Sequence, residues 1–317
     1  MGKNGKLVLF LNMCHGMRVL LCVMQILVVD NNHSQLVTCG TVFQGSCQSR
    51  SLFNISLYET NVIPGTGVNY GFVASTVHTH SAVAFVAPGP SNSVRLYVGT
   101  DEVPLTQILY YSRKYTCGVS SRYLSGDKIF QIPSPNTDGF GTFAHLSEEA
   151  ATSPHFLVNY VTGYSVGGYS YFLTTQPAEY PPDRSTPTVS KLSQVCQNDP
   201  LFDSYVEMQI NCQSDTRNYS LVRAATLLQP GYRLASTLGI SATEHLLVAA
   251  FYSEPDSALC VYKLTDIRRR FTDNIQACYS SSSLLVGRQF RGSKKCTENS
   301  QVRKTKRSHR SLHRLIK

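Results

Sequence analysis

Residues 163–167 read Gly-Tyr-Ser-Val-Gly, the G-x-S-x-G spacing in which a sharp strand-to-helix turn lifts a serine hydroxyl out of a sheet as a nucleophile. That chemistry needs a helix directly after the serine and a histidine and an acid converging on it. The residues after Gly167 (GYSYFLTTQ) are aromatic and β-favouring, so the stretch predicts a β-hairpin in which Gly163, Gly167 and Gly168 supply the turn. A serine hydrolase using Ser165 is thus an alternative of another class, disfavoured by its own context. His78 and His80 flank Thr79, a spacing that sets two imidazoles on one side of a strand, but a structural zinc takes four ligands and no third stands nearby. They read as exposed loop histidines. Glu148 and Glu149 have no partner acid for general acid–base work. The Gly-rich start, GKNGK at residues 2–6, lacks phosphate-loop spacing. No catalytic constellation, cofactor site or metal site is assembled, and the protein reads as non-enzymatic, with no small-molecule substrate.

The ten cysteines fall at spacings unlike those of zinc sites: Cys39 and Cys47 are eight apart, Cys196 and Cys212 sixteen, Cys260 and Cys278 eighteen. Local disulfides in an oxidising compartment are the more economical reading. Asn32, Asn54 and Asn218 each open an N-x-S glycosylation sequon, which points the same way. The formal charge of +9 is concentrated in residues 288–317, where 11 Lys/Arg face the single acid Glu298, leaving the rest of the chain close to neutral. That stretch is Ser-rich without an apolar period and reads as an unfolded tail. Residues 304–310 (KTKRSHR) match a nuclear address or phosphate patch, but nothing upstream is a nucleic-acid module.

These residues must be positioned by short β-rich runs separated by Gly, Pro, Asn and Ser, the pattern of an all-β sandwich, barrel or propeller. Candidate strands are 36–39, 71–75, 82–87, 95–99, 156–161, 169–174, 191–196, 204–210, 221–228, 246–251 and 258–262. At four strands to a blade they make roughly three propeller blades with gaps, the weakest region being 101–153. Two helices interrupt them. Tyr232–Leu238 follows Pro230 and Gly231 and stops at Gly239, a good C-terminal capping residue. Residues 265–275 put Ile267, Phe271 and Ile275 on one face, with Arg268, Arg269 and Arg270 forming a solvated one. At the N-terminus, Lys3, Lys6 and Arg18 precede the eleven-residue apolar run 19–29. That run has the charge and length of a signal peptide, while its end, MQILVVD, equally reads as a buried strand.

The phrases that carry an identity lie mostly between residues 191 and 278. KLSQVCQNDP from Lys191, then SYVEM around Tyr205 and Cys212, are followed in order by AATLLQPGYRLASTLGIS from Ala224, LLVAAF from Leu246, DSALCVY from Asp256 and DNIQACY from Asp273. Together with the CGTVFQGSC loop from Cys39 and HFLVNYVTGYSVGGYSYFLTTQP from His155, this ordered set resembles the sema domain of the plexin family. The resemblance covers about residues 23–279 and is weak across 101–153. The hepatocyte growth factor receptor family shares several phrases and is the nearest rival. QNDPLFDSYVE favours plexin.

The resemblance implies an all-β fold: a partial sema-type β-propeller of about four of seven blades, with short helical insertions and a disordered basic tail. It implies three segments, a leader at 1–22, the propeller at 23–279 and the tail at 280–317. The implied disulfides are Cys39–Cys47, closing a small ring worth about 2–3 kcal/mol, and Cys260–Cys278. Cys196 and Cys212 resemble disulfide cysteines whose partners stay open. Cys117 reads as a buried thiol, and Cys296 lies beyond the match. The implied role is the semaphorin-binding extracellular region of a plexin-type receptor in axon-guidance signalling. Its partners would be a semaphorin-type protein and a second receptor copy, and its place extracellular or at the plasma membrane. A fragment of a hepatocyte growth factor receptor-like protein, or a secreted decoy, is the alternative within the same class.

Overall fold

The computed structural model describes residues 23–41, 45–61, 73–75, 77–101, 118–133, 143–145, 156–180, 182–280, 287 and 290. The chain divides into two compact units, Met1–His145 and Leu146–Lys317.

In the first unit, β1 (Met24–Asp30), β2 (Gln35–Gly40), β3 (Cys47–Ser51) and β4 (Tyr58–Asn61) pair in chain order as one antiparallel sheet. A second sheet is built from β5 (Ala82–Pro88), β6 (Val94–Thr100), β7 (Gly118–Tyr123) and β8 (Phe143–His145). The strand reading of MQILVVD is realised as β1, with Ile26 and Asp30 buried and Leu27 and Val29 outward, the period-2 alternation of a pleated strand. Ile26, Val37, Cys39, Leu96, Val98, Leu124 and Phe130 form the apolar core between the sheets. A polar brace runs through it. Buried Asp30 accepts hydrogen bonds from His33 Nδ1 (2.6 Å) and Gln35 Nε2 (2.9 Å), and Gln35 Nε2 also donates to the Leu124 carbonyl (2.8 Å). Residues 73–75 are not the strand that the apolar pattern predicts. The amides of Val73 and Ala74 both donate to the Gly45 carbonyl (3.0 and 2.9 Å), which pins a bend instead of a ladder.

The second unit opens with β9 (Asn159–Val166), β10 (Tyr169–Pro177), β11 (Thr188–Cys196) and β12 (Val206–Gln209), again a four-stranded antiparallel sheet in chain order. A short pair comes next, β13 (Cys212–Gln213) with β14 (Asn218–Tyr219). Then come β15 (Leu221–Leu228), helix α1 (Tyr232–Leu238), β16 (Leu246–Ser253), β17 (Asp256–Lys263) and helix α2 (Leu264–Ser280), in which β15, β16 and β17 form a three-stranded antiparallel sheet. Four-stranded antiparallel meanders in sequence order have the form of propeller blades, and the fold class is all-β with helical insertions. Helix α1 ends at Gly239, whose φ of 62° puts it in the left-handed capping conformation. Along α2, Leu264, Ile267, Phe271 and Ile275 are buried at spacings of three and four, joining Tyr171, Leu192, Leu247 and Phe251 in one core.

Of the stretch 280–317, expected as an unfolded tail, the described residues are Ser280, which ends α2, Gly287 and Phe290. Phe290 is buried and its ring lies 5.3 Å from that of Tyr205, while its amide donates to the Gly287 carbonyl (3.0 Å). Residues 1–22 lie outside the described residues.

Candidate functional site

The serine of the G-x-S-x-G motif sits inside a strand. Ser165 is the penultimate residue of β9 and pairs with Ser170 of β10; the chain turns at Gly167 and Gly168, at φ of 57° and 83°, and re-enters β10 at Tyr169. Two consecutive positive-φ residues are what a two-residue hairpin turn demands, and glycine meets that demand without steric cost. Gly163 is not in the turn but within β9, opposite Phe172. The Ser165 hydroxyl accepts a hydrogen bond from Gln197 Nε2 (2.5 Å), which also donates to the Tyr169 carbonyl and the Ser170 hydroxyl (both 3.2 Å). An amide, not an imidazole, holds this oxygen, and the chain runs on into a strand instead of a helix. The nucleophile-elbow reading is overturned.

Beneath the hairpin lies an aromatic stack: Tyr164 and Tyr171 are parallel at 5.1 Å, and Tyr171 leans on Phe271 of α2 at 6.3 Å. Burial pushes all three phenols of Tyr164, Tyr169 and Tyr171 above their ordinary value. They are uncharged packing groups with no acid–base role near neutral pH. Arg268 departs from the solvated face expected for it. Its Nη2 donates to the Val166 carbonyl (3.3 Å), and its guanidinium carbon stands 6.0 Å from the centre of the Tyr169 ring, while Arg269 and Arg270 are exposed. A side chain at Gly167 would meet this guanidinium, so Arg268 locks the turn of β9 and β10 onto α2.

His78 and His80 do not converge on a shared ligand. They lie in a turn in which the His80 amide donates to the Val77 carbonyl (3.1 Å); His78 is exposed, and His80 Nδ1 is 3.1 Å from Asp101 Oδ1. Asp101 also takes the Ser81 amide (2.9 Å), joining the ends of β5 and β6. Burial pushes the Asp101 carboxyl up to about 6, against the opposing pull of Ser81 and His80. A raised folded-state value means that the folded protein takes up the proton first. The contribution to stability is therefore full below the unfolded value of about 3.9 and is lost as pH rises through about 6. Asp101→Asn keeps an acceptor for Ser81 and removes the buried charge. Its melting temperature relative to the parent is expected to rise as pH is taken from about 5 to about 7, and melting curves that stay parallel across that range would refute this origin of the pH dependence.

Two disulfides join described cysteines. Cys39 and Cys47 are directly opposed in the ladder of β2 and β3 and are bonded, with Cα atoms 4.1 Å apart. The second corrects the pairing implied by the resemblance. Cys260 is bonded to Cys212, so the Cys260–Cys278 bond does not form. The reason is which face of β17 is covered. Ala258, Cys260 and Tyr262 project into the core while Leu259 and Val261 project outward, and β13 closes over the inner face: Tyr262 Oη donates to the Asn211 carbonyl (2.8 Å), next to Cys212. Cys196 ends β11, opposite Tyr169. Of the sequon asparagines, Asn32 lies in the turn between β1 and β2, Asn54 in the turn between β3 and β4, and Asn218 in β14; all three are exposed. Glu148, Glu149, Cys117, Cys296, GKNGK and residues 304–310 lie outside the described residues.

The described residues form antiparallel sheets stapled by two disulfides. The family model described as Sema domain matches residues 222–315, running past the boundary at 279 that the sequence phrases suggest. Among curated relatives, mouse (Mus musculus) plexin-A4 is 30% identical over 291 residues, covering 83% of this chain and 14% of the relative. Mouse plexin-A2 is 26% identical over 281 residues with the same coverage. The solved plexin A4 full extracellular region superposes with a TM-score of 0.71 at 26% identity, over 87% of this chain and 31% of that structure.

The chain belongs to the plexin family of sema domains. It spans 14% of the length of the curated plexins it matches. The sema match falls on β15 to α2 and the segment after it, the part that carries Cys260, Arg268 and Phe290. The plexin-type sema region is not an enzyme, in keeping with a Ser165 that is a strand residue.

Proposed function

We propose that this chain is the semaphorin-binding extracellular region of a plexin-type cell-surface receptor acting in semaphorin–plexin guidance signalling. The observation that carries the reading is the superposition on the plexin A4 extracellular region over 87% of the chain. The physical character of the molecule supports it. Antiparallel sheets tied by disulfides hold separated loops in one geometry, so a partner meets a surface that needs little ordering on binding. Large apolar side chains remain outward on strands at sheet edges, Leu27 and Val29 on β1 and Leu259 and Val261 on β17, which suits protein contact, including contact with a second receptor copy. The disulfides and sequons support passage of the chain through the secretory pathway.

The test is surface-immobilised chain, secreted from animal cells, against a panel of purified semaphorin ectodomains. Saturable binding to at least one of them, abolished when the chain is reduced and unfolded, is the expected result. A folded, oxidised chain that binds none of the panel would overturn the reading.

A further inference from the structure

The turn joining β3 to β4 exposes four large apolar side chains within six residues: Leu52 at 37%, Phe53 at 89%, Ile55 at 40% and Leu57 at 58%. The turn cannot relax to hide them, because its backbone is tied down on every side. The Ser51 amide donates to the Leu57 carbonyl (3.2 Å), the Leu57 amide to the Asn54 carbonyl (2.9 Å), and the Leu52 amide to the Ser34 carbonyl (2.9 Å). From below, Nη1 of buried Arg50 donates to the Ile55 carbonyl (3.0 Å). An apolar cluster fixed outward on a rigid tip calls for a cover. At its centre stands the sequon Asn54-Ile55-Ser56. The Ser56 amide donates to Asn54 Oδ1 (3.1 Å), which holds the side-chain oxygen against the turn and directs the amide nitrogen, the glycosylated atom, away from it.

We propose that Asn54 carries an N-linked glycan whose first sugar lies over Phe53 and its apolar neighbours, so that the modification covers this turn. The flat C–H face of a pyranose meets the electron-rich face of the Phe53 ring in the same sense that aromatic edges meet aromatic faces. The other sequons offer no such seat. Asn32 is set among Asn31, His33 and Ser34, and Asn218 has its Oδ1 engaged by Asn211 Nδ2 (2.6 Å) beside Arg217 and Ser220. Sugar there adds to surface that is already polar.

The inference rests on the secreted reading above, and the experiment separates the two. The full chain is secreted from animal cells behind an added signal, and each sequon is read by glycopeptide mass spectrometry. Asn54 is expected to be occupied. Asn54→Gln and Ser56→Ala should each remove one glycan in a gel shift, raise the fluorescence of a hydrophobic dye severalfold and lower the secreted yield. Phe53→Ser in the Asn54→Gln background should restore both. An unmodified Asn54 on the secreted chain overturns the inference, whether or not Asn32 or Asn218 is occupied, and leaves the reading above to its own semaphorin-binding test. An occupied Asn54 whose loss leaves dye binding unchanged overturns the covering role.

Discussion

Cys212→Ser is expected to destabilise the unit built from β9 to α2 by about 4 kcal/mol, the loop-closure entropy of a bridge between residues 48 apart in sequence. The bridge matters because little else joins β13 and β14 to β17. Each is two residues long, and their other ties to β17 are the hydrogen bond from Tyr262 to the Asn211 carbonyl and the exposed pair of Arg217 with Asp256. An exposed ion pair contributes at most about 1 kcal/mol. Without the bridge, the inner face of β17 would depend on these weak ties to keep its cover. Urea unfolding of Cys212→Ser, Cys260→Ser and the double variant should give equal losses that do not add, because all three break one bond. A silent Cys212→Ser beside a destabilising Cys260→Ser would mean that Cys260 is bonded elsewhere.

That bond also marks a limit of what the sequence makes legible. The family resemblance implies the pairing of Cys260 with Cys278, and nothing in Cys212 and Gln213 announces a strand, since two residues carry no period. The strands that show in the sequence, such as β10 and β16, are those whose burial is apolar. The ones that escape, β3 and β7, bury polar residues instead: Ser49 and Arg50 in β3, and Ser120, Ser121 and Arg122 in β7. Those groups are tolerated because they find polar partners. Ser49 bonds Gln35, Arg50 donates to Gln48 and the Ile55 carbonyl, and Arg122 donates to Ser120 and the Phe130 carbonyl. A hydropathy pattern sees only the serines and arginines, not the partners that make their burial tolerable. Arg268 shows the same limit on a helix. The period of α2 assigns it a face, but its carbonyl partner, Val166, lies 102 residues earlier.

Glu207→Ala is expected to cost about 3–5 kcal/mol, the range for removing one partner of a buried charged cluster and leaving the others unsatisfied. Glu207 is 4% exposed and accepts from Tyr205 Oη (2.7 Å) and from Gln176 Nε2 (3.0 Å), with Lys191 Nζ at 3.9 Å. Burial, and then the charge of Glu207, push the Tyr205 phenol well above its ordinary range, so it remains the donor at all ordinary pH. The cluster is closed from above by Gly287 and Phe290. Gly287, at φ of 84°, lies so near that an added Cβ would approach Glu207 Cγ to 3.2 Å, and Phe290 packs on the Tyr205 ring. Phe290→Ala should therefore be costly too, by about 3 kcal/mol for an aromatic side chain lost from a buried site. The two losses should add incompletely, because removing the cover lets water reach the polar groups that Glu207→Ala strands. Glu207→Gln, which keeps an acceptor for Tyr205, should fall between parent and Glu207→Ala. Urea unfolding curves for Glu207→Ala, Glu207→Gln, Phe290→Ala and the Glu207→Ala, Phe290→Ala double variant decide the matter: a Phe290→Ala chain within about 0.5 kcal/mol of the parent would detach Phe290 from the fold, and full additivity would mean that it does not shield these groups.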